Sequence, residues 1–152
     1  MKFKRKWLIY LLFAVVAGAG YFGNVALQSH LGRKALKDTG LVVRSLAEAS
    51  QLAAEEGKLV LAVCSAIWCP SCRKLDQQVF ADEAVQRAIN NGFVYARVEY
   101  ESKEGTAFLD RYKLSGFPNL LILKPDGELV HKLSLTFDPE TFRQQLAGSP
   151  GQ

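Results

Sequence analysis

Two cysteines separated by two residues, Cys69-Pro70-Ser71-Cys72, are the part of this sequence best suited to chemistry. A thiolate attacks a disulfide, and a second thiol three positions on can attack in turn and release what the first has captured. The chemistry needs an acidic sulfur. A free thiol with a pKa near 8.5 is only about 3% ionised at pH 7; a shift to about 7 makes it half ionised, a gain of roughly 2 kcal/mol. A helix N-terminus favours such a shift, because its free N–H groups carry about half a positive charge. Cys69 is therefore expected to be the attacking, exposed sulfur at a helix start. Cys72, one turn in and within disulfide reach, is the deeper resolving one. Pro70 suits the first helical turn, where its missing N–H is not needed. Trp68 reads as a rigid shield beside Cys69. The competing use of such a pair is half of a zinc site. Zinc usually takes four ligands, and the remaining Cys64, His30 and His131 form no second ligand pair.

The elements around the pair follow from pattern. Leu59–Cys64 (LVLAVC) is a continuous apolar run, as in a central strand covered on both faces. Cys64 within it reads as a small buried hydrophobe. Upstream, Ser45-Leu46-Ala47-Glu48 is a capping box; Leu46, Ala49, Leu52 and Ala53 then recur at helical spacing, and Gly57 is the stop. A helix is expected from about Cys69, with Leu75, Val79 and Phe80 inward. Asp82-Glu83 opens another, stopped by Asn91-Gly92. Phe93–Tyr100 is a second strand, Thr106–Tyr112 a helix and Asn119–Leu123 a third strand. Pro125-Asp126-Gly127 is a hairpin turn with Glu128–Leu135 returning from it. Asp138 caps the last helix, with Pro139 at its first position. This alternation, closed by one hairpin, implies an α/β fold with a central mixed β-sheet and helices on both faces.

Composition limits the remaining choices. At 152 residues the chain has room for one domain, and 49% apolar with 22% charged residues is an ordinary globular balance. Three cysteines are too few for a disulfide-stapled miniprotein. Lys2, Lys4, Arg5 and Lys6 account for the net charge of +4, since the other fifteen Lys and Arg balance fifteen Asp and Glu. A nucleic-acid partner is not expected of so neutral a domain. Trp7–Leu27 holds 21 residues with one strongly polar member, Asn24. As a helix it extends roughly 32 Å, about the thickness of a bilayer's hydrocarbon core. The cations before it keep the N-terminus cytoplasmic by the positive-inside rule. The expected organisation is a basic segment over 1–6, a transmembrane anchor over 7–27, a polar tether over 28–40, a folded domain over 41–148 and a tail over 149–152. A cleaved signal peptide is the alternative, with Ala17-Gly18-Ala19 as its cleavage site. The apolar run continues eight residues past Ala19, which suits an anchor better.

Trp68-Cys69-Pro70-Ser71-Cys72, Gly116-Phe117-Pro118 and Lys124-Pro125-Asp126-Gly127 together resemble the thioredoxin superfamily, from about Ser45 to Ala147. Residues Asp76–Val85 (DQQVFADEAV) are similar to the region after the active site in the C-terminal domain of DsbD. The resemblance implies a thioredoxin-like fold and a membrane-tethered thiol–disulfide oxidoreductase. It implies the periplasmic side of a bacterial inner membrane, protein thiol or disulfide clients that are reduced, and an upstream redox partner. No cofactor or metal is implied beyond the redox-active pair Cys69–Cys72. It further implies that Pro118 is cis and lies against the cysteines, leaving the Phe117 backbone to pair with an extended client segment. Phe117 is larger than the Thr, Ile or Val common there in relatives. Thioredoxins carry a buried Asp six residues before the first cysteine; here that place is Val63. Asp76, one turn after Cys72 on the same helix face, is a candidate to take part of that role, directly or through water; the other reading is a solvated carboxylate on the helix surface. Arg97 falls where relatives often carry a Lys; the other reading is an exposed strand residue. Two further functions remain open: a non-catalytic interaction module, and a Cu(I) carrier using the two soft thiolates.

Overall fold

In the computed structural model, which describes residues 2–149, the elements run α1 (Lys2–Asp38), α2 (Leu46–Glu56), β1 (Leu59–Ser65), α3 (Pro70–Leu75), α4 (Glu83–Gly92), β2 (Phe93–Glu99), α5 (Lys103–Tyr112), β3 (Asn119–Leu123), β4 (Leu129–Leu133) and α6 (Pro139–Ala147). A π-helical turn, Asp76–Phe80, continues α3. The helix starts are the ones their capping residues dictate. Ser45 Oγ accepts from the Glu48 amide at 3.3 Å, and a Glu48 carboxylate oxygen accepts from the Ser45 amide at 2.9 Å. Asp82 and Asp138 accept from first-turn amides of α4 and α6 in the same way. One start falls earlier than expected. Ser102 caps α5 from Lys103 rather than Thr106, its hydroxyl accepting from the Gly105 amide at 2.9 Å. Gly105 has no Cβ, and a Cβ there would collide with the carbonyl oxygens of Glu99 and Tyr100.

The sheet has the order β2-β1-β3-β4. The α3–α4 crossover makes β1 and β2 parallel, while β3 runs antiparallel to β1 and β4 antiparallel to β3. Alternation along the central strand β1 divides the core in two. Leu61 and Val63 pack with Leu75, Val79, Phe80, Ile89, Phe142 and Leu146. Val60, Ala62 and Cys64 pack with Ala49, Ala53 and Phe108 on the other side. Cys64 is thus a buried hydrophobe on the α2–α5 face, separate from the cluster that holds Cys69 and Cys72.

The segment 28–40 is not the tether its polarity suggests. It stays helical as far as Asp38, and one side of it docks on the domain. Ala35 and Thr39 are buried, the Gln28 side-chain oxygen accepts from Arg73 Nη1, and Gly32 lies on the Ile67 carbonyl so closely that a Cβ would collide with it. The physical reason is that Gly32 lets two backbones meet. Ile67 lies two residues before Cys69 and Arg73 directly follows Cys72, so α1 is joined to the segment carrying both cysteines from either side. Further up, Lys6–Asp38 contains a stretch of mean hydropathy 1.8, long and apolar enough to cross a membrane. Its large apolar side chains from Trp7 to Phe22 are exposed.

Candidate functional site

The chain leaves the buried end of β1, passes Ala66-Ile67-Trp68 and turns into α3 at Cys69. Cys69 has extended backbone angles (φ −75°, ψ 121°) and takes the N-cap position, with Pro70 at the first helical position. Its Sγ accepts from the Cys72 amide at 3.1 Å and lies 3.1 Å from Ser71 Oγ. A sulfur in the cap position meets the unsatisfied N–H end of the helix, where negative charge is favoured. Both Cys69 and Cys72 are free thiols. Burial pushes the Cys72 thiol up to about 12, and a hydrogen bond with Cys69 adds to this. The Ser65 hydroxyl and the Ala66 amide act in the opposite sense. The Phe117–Pro118 peptide bond is cis, and the Asn119 side chain ties the following strand back to the Gly116 carbonyl at 2.8 Å.

Cys69 is not exposed as expected; only 3% of it is accessible. Three rings gather with it. Phe117 stands edge-on to Trp68 at 5.4 Å between centroids and to Tyr100 at 4.5 Å, and all three pack against the cluster of Ala66, Cys69 and Cys72. The size of Phe117 is what allows one ring to bridge the other two. Trp68 therefore acts as one wall of a cap rather than as a lone shield. Phe117→Ala is expected to speed iodoacetamide labelling of Cys69, read residue by residue by mass spectrometry, and to leave Cys64 labelling unchanged. An unaltered Cys69 rate would show that the ring does not close the site.

Asp76 is buried, as is the side chain it meets. Arg97 Nη1 donates to one Asp76 oxygen at 2.7 Å and Nη2 to the other at 3.1 Å, a two-pronged pair. The same guanidinium donates from Nη2 to Ser65 Oγ at 2.7 Å and from Nη1 to Tyr95 OH at 3.3 Å. Burial raises the Asp76 carboxyl above its ordinary value, and the Arg97 hydrogen bonds and charge oppose this. Asp76 is thus engaged by Arg97, not hydrogen-bonded to Cys72. Arg97 is far from an exposed strand residue: its side chain is 6% accessible, and it sits in β2 directly beside Val63 of β1. Sequence reasoning missed Ser65, Tyr95 and Tyr100. The available signal for Ser65 was a hydroxyl ending an otherwise apolar strand.

A mixed sheet with a Cys-x-x-Cys pair at the start of the helix after its central strand, and a cis proline before the next antiparallel strand, defines a thioredoxin-type domain. The sequence profile of the thioredoxin-like domain family matches residues 46–148, and the chain belongs to that family. Among solved structures, a thioredoxin from Thermus thermophilus superposes with a TM-score of 0.64 at 29% identity, covering 70% of this chain and 85% of that one. The C-terminal domain of DsbD from Neisseria meningitidis, in its oxidised form, shares the fold at 21% identity with a TM-score of 0.54, covering 62% of this chain and 84% of that one. Among curated proteins, the thiol:disulfide interchange protein DsbD of Yersinia enterocolitica is 29% identical over 135 residues, and that of Pseudomonas fluorescens 33% over 114. These alignments cover 85% and 71% of this chain but only 22% and 20% of the relatives' lengths.

Proposed function

We propose that this protein is a thiol–disulfide oxidoreductase that reduces client disulfides through Cys69 and Cys72, held at a membrane by residues 7–27 with its domain on the extracytoplasmic side. The observation that carries the reading is the Cys69 sulfur in the cap of α3, bonded to the Cys72 amide and lying among Trp68, Tyr100 and Phe117. The Cys69 thiolate attacks one sulfur of a client disulfide. The client's S–S bond breaks, one client sulfur leaves as a thiolate and takes up a proton, and a Cys69–client mixed disulfide forms. Cys72, as thiolate, then attacks Cys69 Sγ. The Cys69–Cys72 bond forms, the second client sulfur leaves with the electron pair, and solvent returns to it the proton that Cys72 lost. The client disulfide gains two electrons and the pair loses two. A separate thiol donor must reduce the pair again.

The basic residues before the apolar run support the orientation. The relatives' names support the thiol–disulfide exchange chemistry. Among the described residues, no third His, Cys, Asp or Glu gathers with the two thiols to build a fuller metal site. The test is direct. The reduced protein is expected to catalyse insulin reduction with dithiothreitol as the terminal donor. Cys72→Ser in cells is expected to accumulate a client joined to Cys69 that dithiothreitol releases. Binding of the same partners by a Cys69→Ser/Cys72→Ser double variant, with no insulin reduction by the wild type, would establish an interaction module instead.

A further inference from the structure

The resolving step has a difficulty that the two cysteines alone do not solve. Cys72 must attack as a thiolate, yet burial holds its thiol at about 12. Burial therefore opposes the charge that the step needs. The groups facing it are Cys69, the Ser65 hydroxyl, the Ala66 amide and, behind these, Tyr95, Asp76 and Arg97. Val63, at the place of the buried carboxylate of thioredoxins, is apolar and cannot take a proton.

Ser65 is fully buried at the end of β1. Its oxygen accepts from Arg97 Nη2 at 2.7 Å, so its own proton must turn to a different neighbour. Ser65 directly precedes Ala66, which packs with Cys69 and Cys72, and the hydroxyl acts on the Cys72 thiol in the sense opposite to burial. The guanidinium is itself immobilised: Asp76 holds it by two prongs, Tyr95 accepts from Nη1, and only Nε lacks a hydrogen-bond partner among the described residues. Arg97 thus fixes which way the hydroxyl points and places a permanent positive charge one atom behind it.

We propose that Ser65, oriented by Arg97, is the positioning residue that makes Cys72 competent to resolve the mixed disulfide, by donating its hydroxyl hydrogen bond to the Cys72 thiolate. The inference rests on the thiol–disulfide reading above and assigns it a device built from this chain's own residues. The arrangement is inactive toward a neutral thiol and gains strength as negative charge develops on sulfur, which is when the step needs it. Asp76 contributes through Arg97, as the anchor of the guanidinium. No proton passes to Ser65; it leaves Cys72 for solvent, and the hydroxyl keeps its own.

A hydrogen bond to a charged group is worth about 1.5–3 kcal/mol, so Ser65→Ala is expected to slow resolution about 10- to 150-fold. The measurement is a single-turnover experiment on the full-length protein in detergent, following first formation of the Cys69 mixed disulfide with a peptide disulfide and then release of the peptide thiol. The first rate is expected to stay as in the wild type while the second falls. In a Cys69→Ser background, the thiolate absorbance of Cys72 is expected to rise at higher pH with Ser65→Ala than with Ser65 present. Ser65→Thr, which keeps the hydroxyl, is expected to restore most of the second rate. Equal slowing of both steps, or wild-type release with an unmoved Cys72 titration, would overturn the proposal. Absence of any mixed disulfide in the wild type would overturn the functional reading beneath it, and the Cys72 titration in the Cys69→Ser background would still decide whether Ser65 acts on that sulfur.

Discussion

Cys69→Ser is expected to reduce catalysed insulin reduction to the rate seen with dithiothreitol alone. The whole cycle passes through this sulfur: it makes the first bond to the client, and it is the atom that Cys72 later attacks. A hydroxyl is not ionised near neutrality and does not exchange with a disulfide, so the change removes the reaction rather than slowing it. The backbone is not the cause. Serine is itself a good N-cap and accepts the Cys72 amide hydrogen bond as the sulfur does, so α3 keeps its start. Cys72→Ser separates the two halves: it keeps the first step and stops at the mixed disulfide, so it also fails to turn over but accumulates linked client. Cys64→Ala is the control. That thiol is buried on the opposite face of β1, with the α2–α5 core, and its loss is expected to leave the rate unchanged. Burial pushes Cys64 up to about 11 and Cys72 to about 12, above their ordinary value. Both therefore favour the folded protein while they are protonated, and that advantage is lost as pH rises from about 9 through those values. The activity series belongs near pH 7–8, where neither group titrates.

How much of this was open to sequence reasoning depended on the distance over which each feature is decided. Ser45, Asp82 and Asp138 cap helices within three residues of themselves, and each helix starts where its cap predicts. The run Leu59–Cys64 announces a strand covered on both faces because its cover is indiscriminate: any apolar layer serves. Cys69 and Cys72 are a local motif, and they meet as spaced. What sequence reasoning misplaced was decided by partners distant in the chain. Segment 28–40 reads as polar, and only contact with Ile67 and Arg73 makes its Gly32 and Gln28 a docking stripe. Cys69 reads as exposed at a helix start, until Phe117, 48 positions later, packs against it with Tyr100. Asp76 lies one turn from Cys72 and so seemed its partner. The parallel crossover instead brings Arg97 beside Val63, and there the guanidinium finds Asp76 from across the sheet–helix interface. The apolar Val63 and the burial of Arg97 beside it are thus two halves of one rearrangement, with the negative charge supplied by the helix rather than by the strand.

That rearrangement has a large expected effect on stability. Asp76→Ala leaves the Arg97 guanidinium buried with its carboxylate gone, in a site where water cannot replace it. Removing one member of a buried pair typically costs 3–5 kcal/mol, because the surviving charge keeps its desolvation penalty and loses its compensation. Arg97→Met is expected to cost a similar amount by stranding Asp76, although that carboxyl has a partial escape: burial already raises its pKa, so it can protonate. The pair itself need not stabilise the fold, since both ions were dehydrated to make it. Asp76→Leu with Arg97→Met should therefore recover most of the loss, and the double variant should be more stable than either single one. Urea unfolding of the reduced protein measures all of these changes. The recovered double variant also tests what the pair is for. It regains stability yet keeps no charge behind Ser65, so mixed-disulfide resolution is expected to stay slow in a protein that is fully folded. Recovery of both stability and resolution would show that the ion pair serves the fold alone. Near-additive losses in the double variant would show instead that the two side chains contribute independently, through packing rather than through each other's charge.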